Sequence, residues 1–497
     1  MDTTGTVSRK DGYALLILSI SLATFMACLD GTIVNIALPT ISEAFNVSTS
    51  TVSWVATAYM LVMAGCVLVF GKISDIIGFK KIFLLGFAVF TTGSFACGLL
   101  PDLFNSLYWL VGSRMFQALG GAMITAIGPA MVTAYIPMEK KGKAMGIVMT
   151  FAALGTALGP TLGGILTQYL SWHWIFYINV PVGIIAILLG AKVIPKAVPR
   201  GNLASFDRIG AALVFTGLAS LLFVVSEGQN LGWTSPGILA LAAVTIVTLA
   251  WFVRHELSAK DPILDIRLFK NANFIVINLI IFLIFFSFAG INYLLPFYLQ
   301  YVRGFAVSSA GLIITSLSVA MMVAGLIAGS LYNSTGPKKL AIAAGIILTA
   351  GYYLMTRLHE YTHAGYVVVS LAIIGFGLGL MITPVSNLIM NSVARTKQGM
   401  VSSLISLERF APLSLGIATF NLIFIQGVLT LAAGVGITKE SPKEIVMPVL
   451  STGFDHAFFY SFILGIVIII LTLFIRQEVH PDYRDKPAES EASACLM

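Results

Sequence analysis

An acidic residue, Asp30, stands inside an apolar stretch that runs from Tyr13 to Pro39. About 20 apolar residues suffice to cross the hydrocarbon core of a bilayer, so this stretch predicts a membrane-spanning helix. A charged side chain near the bilayer centre costs roughly 2.5 kcal/mol or more, and such residues are generally retained for a function. The alternative is a purely structural role, in which Asp30 neutralises a buried cation. We favour a functional role.

A second intramembrane charge, Arg114, is predicted at a matching depth. Asp30 lies about 8 residues before the predicted outer end of the first span, and Arg114 lies about 8 residues after the outer start of the fourth; at ~1.5 Å per residue both are roughly 12 Å deep. Burial favours a neutral acid and a nearby cation favours a carboxylate, so such a site can load and release a proton as its surroundings change. Arg114 cannot deprotonate and would be the fixed partner. A static ion pair between helices is the alternative.

Glu408 and Arg409 form a third charged position, near mid-depth in the thirteenth predicted span. Neighbours in sequence point about 100° apart on a helix, so these two need not pair with each other. Glu408 could bind a cationic substrate, serve as a second proton site, or be neutralised by another group, and we favour the first. The polar residues that we predict to line a substrate cavity with Glu408 are Asn35, Tyr59, Gln117, Asn292 and Tyr293.

No pattern of catalytic residues accompanies these charges. The chain contains no P-loop, no cluster of metal ligands and no catalytic triad, so we expect neither an enzyme nor an ATP-driven pump, and no metal or cofactor. The run Gly375–Gly379 lies in an apolar span, where it predicts helix packing and not a nucleotide loop. The four cysteines show no spacing typical of a disulfide framework.

The elements that position these residues are apolar spans. The chain is 58% hydrophobic and 10% charged, with a mean hydropathy of +0.93, whereas soluble domains carry roughly 25% charged residues. Lipid offers no partner to unpaired backbone groups, so the spans must be helices. The fold class is therefore an all-α membrane protein. Fourteen spans are predicted, at residues 13–37, 51–70, 82–100, 106–134, 143–169, 173–194, 208–225, 237–253, 273–299, 309–331, 339–357, 364–390, 400–430 and 453–475.

The distribution of Lys and Arg predicts the orientation. With both termini in the cytoplasm, most of the 29 basic residues fall on the inner side, as the positive-inside rule requires. The net charge of +7 then reflects contact with anionic lipid headgroups and requires no nucleic acid partner. The exceptions are Arg303, Arg357, Lys439 and Lys443 in outer loops, and Arg114 and Arg409 within spans.

Two inner loops share one pattern of residues. Gly71 to Lys81 and Gly329 to Lys339 each place Gly, Asp or Asn, Gly, Lys and Lys at the same spacing. Paired halves are typical of transporters that expose a midplane site alternately to each side. We therefore predict a six-helix half at 1–194, a linker with two inserted spans at 195–270, a second six-helix half at 271–480, and a disordered cytoplasmic tail at 481–497.

Six stretches carry sequence motifs along the chain: Leu29–Pro39, Gly71–Lys81, Ser113–Ala122, Gly155–Gly164, Trp172–Gly183 and Leu295–Gln300. In this order they resemble the major facilitator superfamily, in its fourteen-helix drug:proton antiporter branch, over nearly the whole chain, and the first four are similar to its first-helix motif and its motifs A, B and C. The second of the paired loops departs from the family pattern, with Asn333 where an acid often stands, and the first has Phe79-Lys80 where Arg-Lys is usual.

The resemblance implies a proton-coupled antiporter in the cell membrane that exports amphipathic, cationic small molecules by alternating access. Its partners would be the substrate, protons and membrane lipids, and we expect a monomer. An exporter of one metabolite or antibiotic is the first alternative, and a solute:proton symporter is a weaker one. The residues assigned to gating are Gly71, Asp75, Gly78, Lys80, Lys81 and Asn333, although Asp75 could simply form a turn. Those of the antiporter motif are Gly155, Gly159, Pro160, Gly163 and Gly164, which would serve as hinge and seal or only as a packing face.

Overall fold

A computed structural model describes residues 10–136, 138–195, 207–259, 262–393, 398–435 and 443–477. The regular secondary structure in these ranges is helical, and fourteen segments are long and apolar enough to cross a membrane. The predicted fold class and number of spans are thereby confirmed. The α-helices are α1 Lys10–Ile33, α2 Leu38–Ala44, α3 Thr49–Ile77, α4 Phe79–Leu103, α5 Leu107–Tyr135, α6 Met138–Tyr169, α7 Trp174–Tyr177, α8 Asn179–Val193, α9 Arg208–Leu231, α10 Pro236–Ser258, α11 Ala272–Phe297, α12 Val307–Thr335, α13 Pro337–Met355, α14 Ala364–Asn391, α15 Gln398–Val435 and α16 Lys443–Leu473.

The first span is longer than predicted. A 3₁₀ turn at Asn35–Ala37 joins α1 to α2, so the apolar segment runs from Tyr13 to Ala44 and not to residue 37. Pro39 does not end the helix, because it lies in the first turn of α2, where a missing N–H leaves no hydrogen bond unmade. Asp30 therefore lies near the middle of this apolar segment, 14 residues before its end at Ala44 and not about 8.

The helices pack as two bundles and a pair. In the first bundle, α1 packs on α6, and α5 packs on both α3 and α4. In the second bundle, α14 packs on α12 and α13, and α11 packs on α15 and α16. The inserted helices α9 and α10 pack on each other, and α9 also contacts α3 and α15. The domain boundaries inferred from the sequence stay a prediction, and the predicted tail at 481–497 lies outside the described residues.

The inserted pair touches both bundles near one end. Glu227 of α9 accepts hydrogen bonds from Trp54 Nε1 of the first bundle (2.7 Å) and from Asn230 Nδ2 (3.0 Å). Gln229, also on α9, accepts a hydrogen bond from Gln426 Nε2 of the second bundle (3.2 Å). We call the end of the molecule that holds the α2–α3 connection the outer end, and these contacts lie there.

The sequence repeat recurs as a structural repeat. Gly78 and Gly336 separate consecutive helices with φ of +94° and +82°, a backbone region that glycine adopts without steric cost. Two residues after each glycine, a lysine reaches the last turn of its bundle's final helix: Lys80 Nζ donates to the Ala191 carbonyl (2.6 Å) and Lys338 Nζ to the Leu473 carbonyl (2.7 Å). Both lysines satisfy carbonyls that have no partner within the helix.

Candidate functional site

Asp30 lies at the centre of a buried polar cluster in the first bundle. Its side chain is fully buried and accepts three hydrogen bonds. Arg114 Nη1 donates to Oδ2 (2.7 Å), while Gln117 Nε2 (2.9 Å) and Asn179 Nδ2 (3.1 Å) both donate to Oδ1. Two helices besides its own thus converge on this one carboxylate, since Arg114 and Gln117 lie one turn apart on α5 and Asn179 begins α8.

Arg114 has several contacts besides its hydrogen bond to the Asp30 carboxylate. The same Nη1 donates to Gln117 Oε1 (2.6 Å), and Nε donates weakly to the Val55 carbonyl (3.4 Å). The guanidinium carbon lies 3.8 Å from the centroid of the Tyr59 ring and 5.6 Å from that of Phe176, and contact of a cation with an aromatic face is attractive. Two residues predicted for the substrate cavity, Tyr59 and Gln117, therefore belong to the cluster around Asp30.

A second layer of polar groups fixes Gln117. Its Nε2 also donates to Ser94 Oγ (2.7 Å), and the Cys97 thiol donates to its Oε1 (3.6 Å). Asn179 was predicted only as part of the stretch Trp172–Gly183, and Ser94 was not predicted at all. Both are small polar residues in otherwise apolar spans, and only the packing of the helices shows that Asn179 faces Asp30 and that Ser94 faces Gln117.

The charge balance of this cluster makes it responsive to its surroundings. A buried ion pair is weak evidence for stability, because desolvation offsets the attraction, but loss of one partner leaves an uncompensated buried charge. Protonation of Asp30 would have that effect on Arg114. A change in packing that brings water to either residue therefore changes the stability of the ion pair.

The antiporter motif forms the contact between α6 and the helix that carries Asp30. Gly155 and Gly163 of α6 face backbone carbonyls of Phe25 and Ile33, and a Cβ on Gly159 would collide with Thr32 Oγ1. The glycines therefore let α6 approach α1 at backbone distance.

The other side of the same motif contacts the second bundle. A Cβ added to Gly164 would collide with the Val307 carbonyl of α12, and a Cβ added to Gly311 of α12 would collide with the Pro160 carbonyl. One helix thus touches both the Asp30 helix and the opposite bundle, which allows a movement between the bundles to reach Asp30.

Hydrogen bonds between the bundles cluster near the outer end. The hydroxyls of Thr161 and Thr315 lie 2.6 Å apart, and Gln300 Nε2 donates to the Ile36 carbonyl (2.9 Å). The Tyr293 hydroxyl donates to the Thr49 carbonyl (2.5 Å). Tyr293, predicted to line a cavity, is thus a contact between the bundles.

A small cavity lies below these contacts, between the bundles. Asn292, which was predicted to line a substrate cavity, is one of the residues that line this cavity. Asn35, which was also predicted to line it, is instead buried in the 3₁₀ turn between α1 and α2. The cavity walls are mostly apolar and carry a few hydroxyls. They are formed by Thr32, Thr156, Pro160, Phe288, Ile291, Asn292, Leu295, Ile314, Leu317 and Ser318.

Glu408 is a buried acid outside the Asp30 cluster. Its side chain is 8% exposed, and its Oε2 has no hydrogen-bond partner among the described residues. Arg409 points elsewhere, with its guanidinium carbon 5.8 Å from the centroid of Phe410. Pro412 follows one turn later inside α15, so the Glu408 carbonyl lacks the N–H that a helix normally supplies.

The structure describes only some of the residues that we predict to form the gate. Gly71 lies within α3, Gly78 at the turn into α4, and Lys81 is exposed in the first turn of α4. The side chains of Asp75 and Asn333 lie outside the described part of the chain.

Asp455 is a carboxylate that the sequence analysis missed. The fourteenth span was predicted to begin at residue 453, whereas α16 begins at Lys443, so Asp455 lies well inside a helix. Its Oδ1 is buried without a hydrogen-bond partner in the described residues. Over the same residues, no group of three His, Cys, Asp or Glu side chains could hold a metal ion.

The fold and the buried site together define a multi-pass membrane carrier. The family model of the Major Facilitator Superfamily matches residues 20–417. The chain belongs to this superfamily of transporters, and the resemblance inferred from the motifs is confirmed.

Curated relatives of the chain carry names of two kinds. The riboflavin transporter RibZ of Clostridioides difficile (strain 630) is 35% identical, over 84% of this chain and 90% of its own length. The multidrug resistance protein Stp of Mycobacterium tuberculosis (strain CDC 1551 / Oshkosh) is 32% identical, over 87% and 79%. The multidrug transporter protein MdtP of Bacillus subtilis (strain 168) is 30% identical, over 87% and 78%.

Solved structures share the fold at low sequence identity. A bacterial homologue of the human lysosomal transporter Spinster, in an inward-facing and unoccupied conformation, has a TM-score of 0.68 at 14% identity, covering 95% of this chain and 100% of its own. A D-xylose–proton symporter has a TM-score of 0.66 at 14% identity, covering 95% and 99%. At this identity the likeness concerns the fold alone.

Proposed function

We propose that this transporter is a proton-coupled antiporter that exports amphipathic, cationic small molecules across the cell membrane, with both termini in the cytoplasm. The observation that carries the proposal is the fully buried Asp30 carboxylate, held by Arg114, Gln117 and Asn179. The proton gradient supplies the driving force, so no cofactor is needed, and the protein works as a monomer.

Proton coupling follows from the packing that links the Asp30 helix to the contact between the two bundles. Asp30 is on α1, which packs on α6, and α6 packs on α12 of the second bundle. As the bundles rock, the contact of α6 with α12 changes, and so does the access of water to α1. The proton is then taken up from one side and released to the other, as alternating access requires.

The substrate class follows from the buried groups and from the relatives. Glu408 is a buried acid without a described ion-pair partner, and its ionised form would attract a cation without demanding a particular shape. The cavity between the bundles, whose walls do not include Glu408, is mostly apolar and suits the apolar part of an amphipathic molecule. Relatives named multidrug transporters, Stp and MdtP, support a broad substrate range.

A second candidate function is the transport of one metabolite. The relative named a riboflavin transporter is 35% identical to this chain, and riboflavin is planar and uncharged at neutral pH. This candidate predicts one saturable substrate and no dependence on the charge of Glu408.

Reconstituted vesicles test both candidates. Purified protein in proteoliposomes is given an imposed pH gradient, and the movement of a cationic dye, of riboflavin and of protons is followed together. Dye movement against a proton flux in the opposite direction supports the antiporter. Movement of riboflavin alone supports the single-metabolite carrier, and movement of substrate with protons in the same direction overturns antiport.

A further inference from the structure

We propose that Asn179 is a two-state partner of Asp30: its amide nitrogen holds the ionised carboxylate, and its amide oxygen accepts the proton-bearing hydroxyl after the amide rotates. This inference rests on the proposed function, because it assigns a role within the protonation of Asp30. It makes Asn179 a positioning residue for the coupling step.

The observation is an amide that is only half satisfied. Asn179 is 1% exposed, and its Nδ2 donates to Asp30 Oδ1 at 3.1 Å. Its Oδ1 is buried and has no hydrogen-bond partner among the described residues. A buried acceptor without a partner is unfavourable, and this one lies on the amide that already contacts Asp30.

Protonation of Asp30 creates the donor that this acceptor lacks. The ionised carboxylate accepts hydrogen bonds from three donors, but a protonated carboxyl oxygen must itself donate. Gln117 Oε1 is already engaged by Arg114 and Cys97. A rotation of about 180° around the last bond of Asn179 exchanges Nδ2 for Oδ1, and atoms of an amide exchange in this way without a change of volume.

The ionisable neighbours of Asp30 do not compete for this role as bases. In the described chain these are Cys28 on the same helix, Tyr59 on α3, Cys97 on α4 and Arg114 on α5. The described contacts of α6, α7 and α8 with α1 and Arg114 come from glycines, Phe176 and Asn179, which do not ionise. The Tyr59 hydroxyl is a second candidate acceptor close to Asp30, and the experiment therefore includes it.

The test follows the protonation of Asp30 directly. Full-length protein in lipid is titrated while the carbonyl stretch of protonated carboxyls is recorded by infrared difference spectroscopy, and the band lost in Asp30→Asn identifies Asp30. In Asn179→Leu the carboxylate loses one donor and the neutral acid loses its acceptor, so the position of the Asp30 band, and not its midpoint, tests the proposal. A carboxyl group whose O–H has no acceptor absorbs at higher wavenumber than one whose O–H donates, so we expect the band to move to higher wavenumber in Asn179→Leu.

Each other outcome has a definite meaning. An Asp30 band at the wild-type position in Asn179→Leu shows that Asn179 does not accept from the neutral acid, and this result overturns the proposal. So does a shift to higher wavenumber in Tyr59→Phe with none in Asn179→Leu. An Asp30 band that does not titrate in the wild type refutes the proposed proton site itself, and not merely the role of Asn179.

Two further variants control for damage to the fold. Asn278→Leu removes another buried amide, one that donates to Phe274 and has an unpaired Oδ1, and should leave the position of the Asp30 band unchanged. Asn179→Gln keeps both amide groups and should keep the band near its wild-type position. If Asn179→Leu does not fold, Asn179→Ala takes its place with the same expected shift, and a band at the wild-type position there contradicts the proposal.

Discussion

Replacement of Asp30 by Asn separates the structural role of the buried pair from its role in coupling. The substitution removes a fully buried negative charge and leaves Arg114, which is 1% exposed, without its counterion. It also places an amide donor against Gln117 and Asn179, which both donate to the same oxygen. Removal of one partner of a buried pair costs about 3–5 kcal/mol.

The lower end of that range applies here. Arg114 keeps its hydrogen bond to Gln117 Oε1 and its contact with the Tyr59 ring. A loss of about 3 kcal/mol corresponds to a fall of roughly 6–12 °C in the Tm of a unit the size of the first bundle. We further expect the variant to insert in the membrane and to lose proton-driven export completely, because Asn cannot carry a titrating proton.

Two measurements on the same purified protein check these expectations. Thermal unfolding in detergent reports stability, and substrate movement in proteoliposomes under a pH gradient reports coupling. The double variant Asp30→Asn with Arg114→Gln removes both charges and should regain most of the lost Tm without regaining transport. An unchanged Tm in the single variant would refute the energetic argument, and undiminished pH-driven transport would refute the proton site.

Three other substitutions probe neighbouring parts of the structure. Arg114→Lys should lower transport about tenfold or more and shift its pH optimum, because an ammonium lacks the planar fork and the aromatic stacking of guanidinium; wild-type kinetics would show that only charge matters. Gly159→Ala should impair transport and lower Tm, since its Cβ collides with Thr32, whereas Gly146→Ala on the same helix meets open space and should behave as wild type. Glu408→Gln should weaken efflux of a cationic dye about tenfold and spare a neutral compound; equal loss of both would place Glu408 in the proton pathway or in folding.

The sequence alone determined the fold class, because hydropathy along a chain is a local property. The fourteen apolar segments are visible in the hydropathy of the sequence. Their helical structure follows because lipid offers no hydrogen-bond partner to the backbone. The motifs were also local enough to identify the superfamily, since glycine, acid and lysine spacing within one loop or one helix turn is visible in the sequence. Asp30 and Arg114 stood out for the same reason, as charges in apolar surroundings.

Only the tertiary structure decided which groups meet. The distance of Asp30 from the end of its span depended on α2, which follows α1 and contains Pro39. Sequence patterns predict the ends of spans only imprecisely. Gln117 and Asn179 donate to the same oxygen of Asp30 because α5 and α8 both pack on α1. Contacts of this kind, between residues far apart in sequence, leave no periodic pattern in the sequence. Tyr293 likewise proved to join the two bundles, because the direction of an aromatic side chain on an all-apolar helix is set by the neighbouring helices.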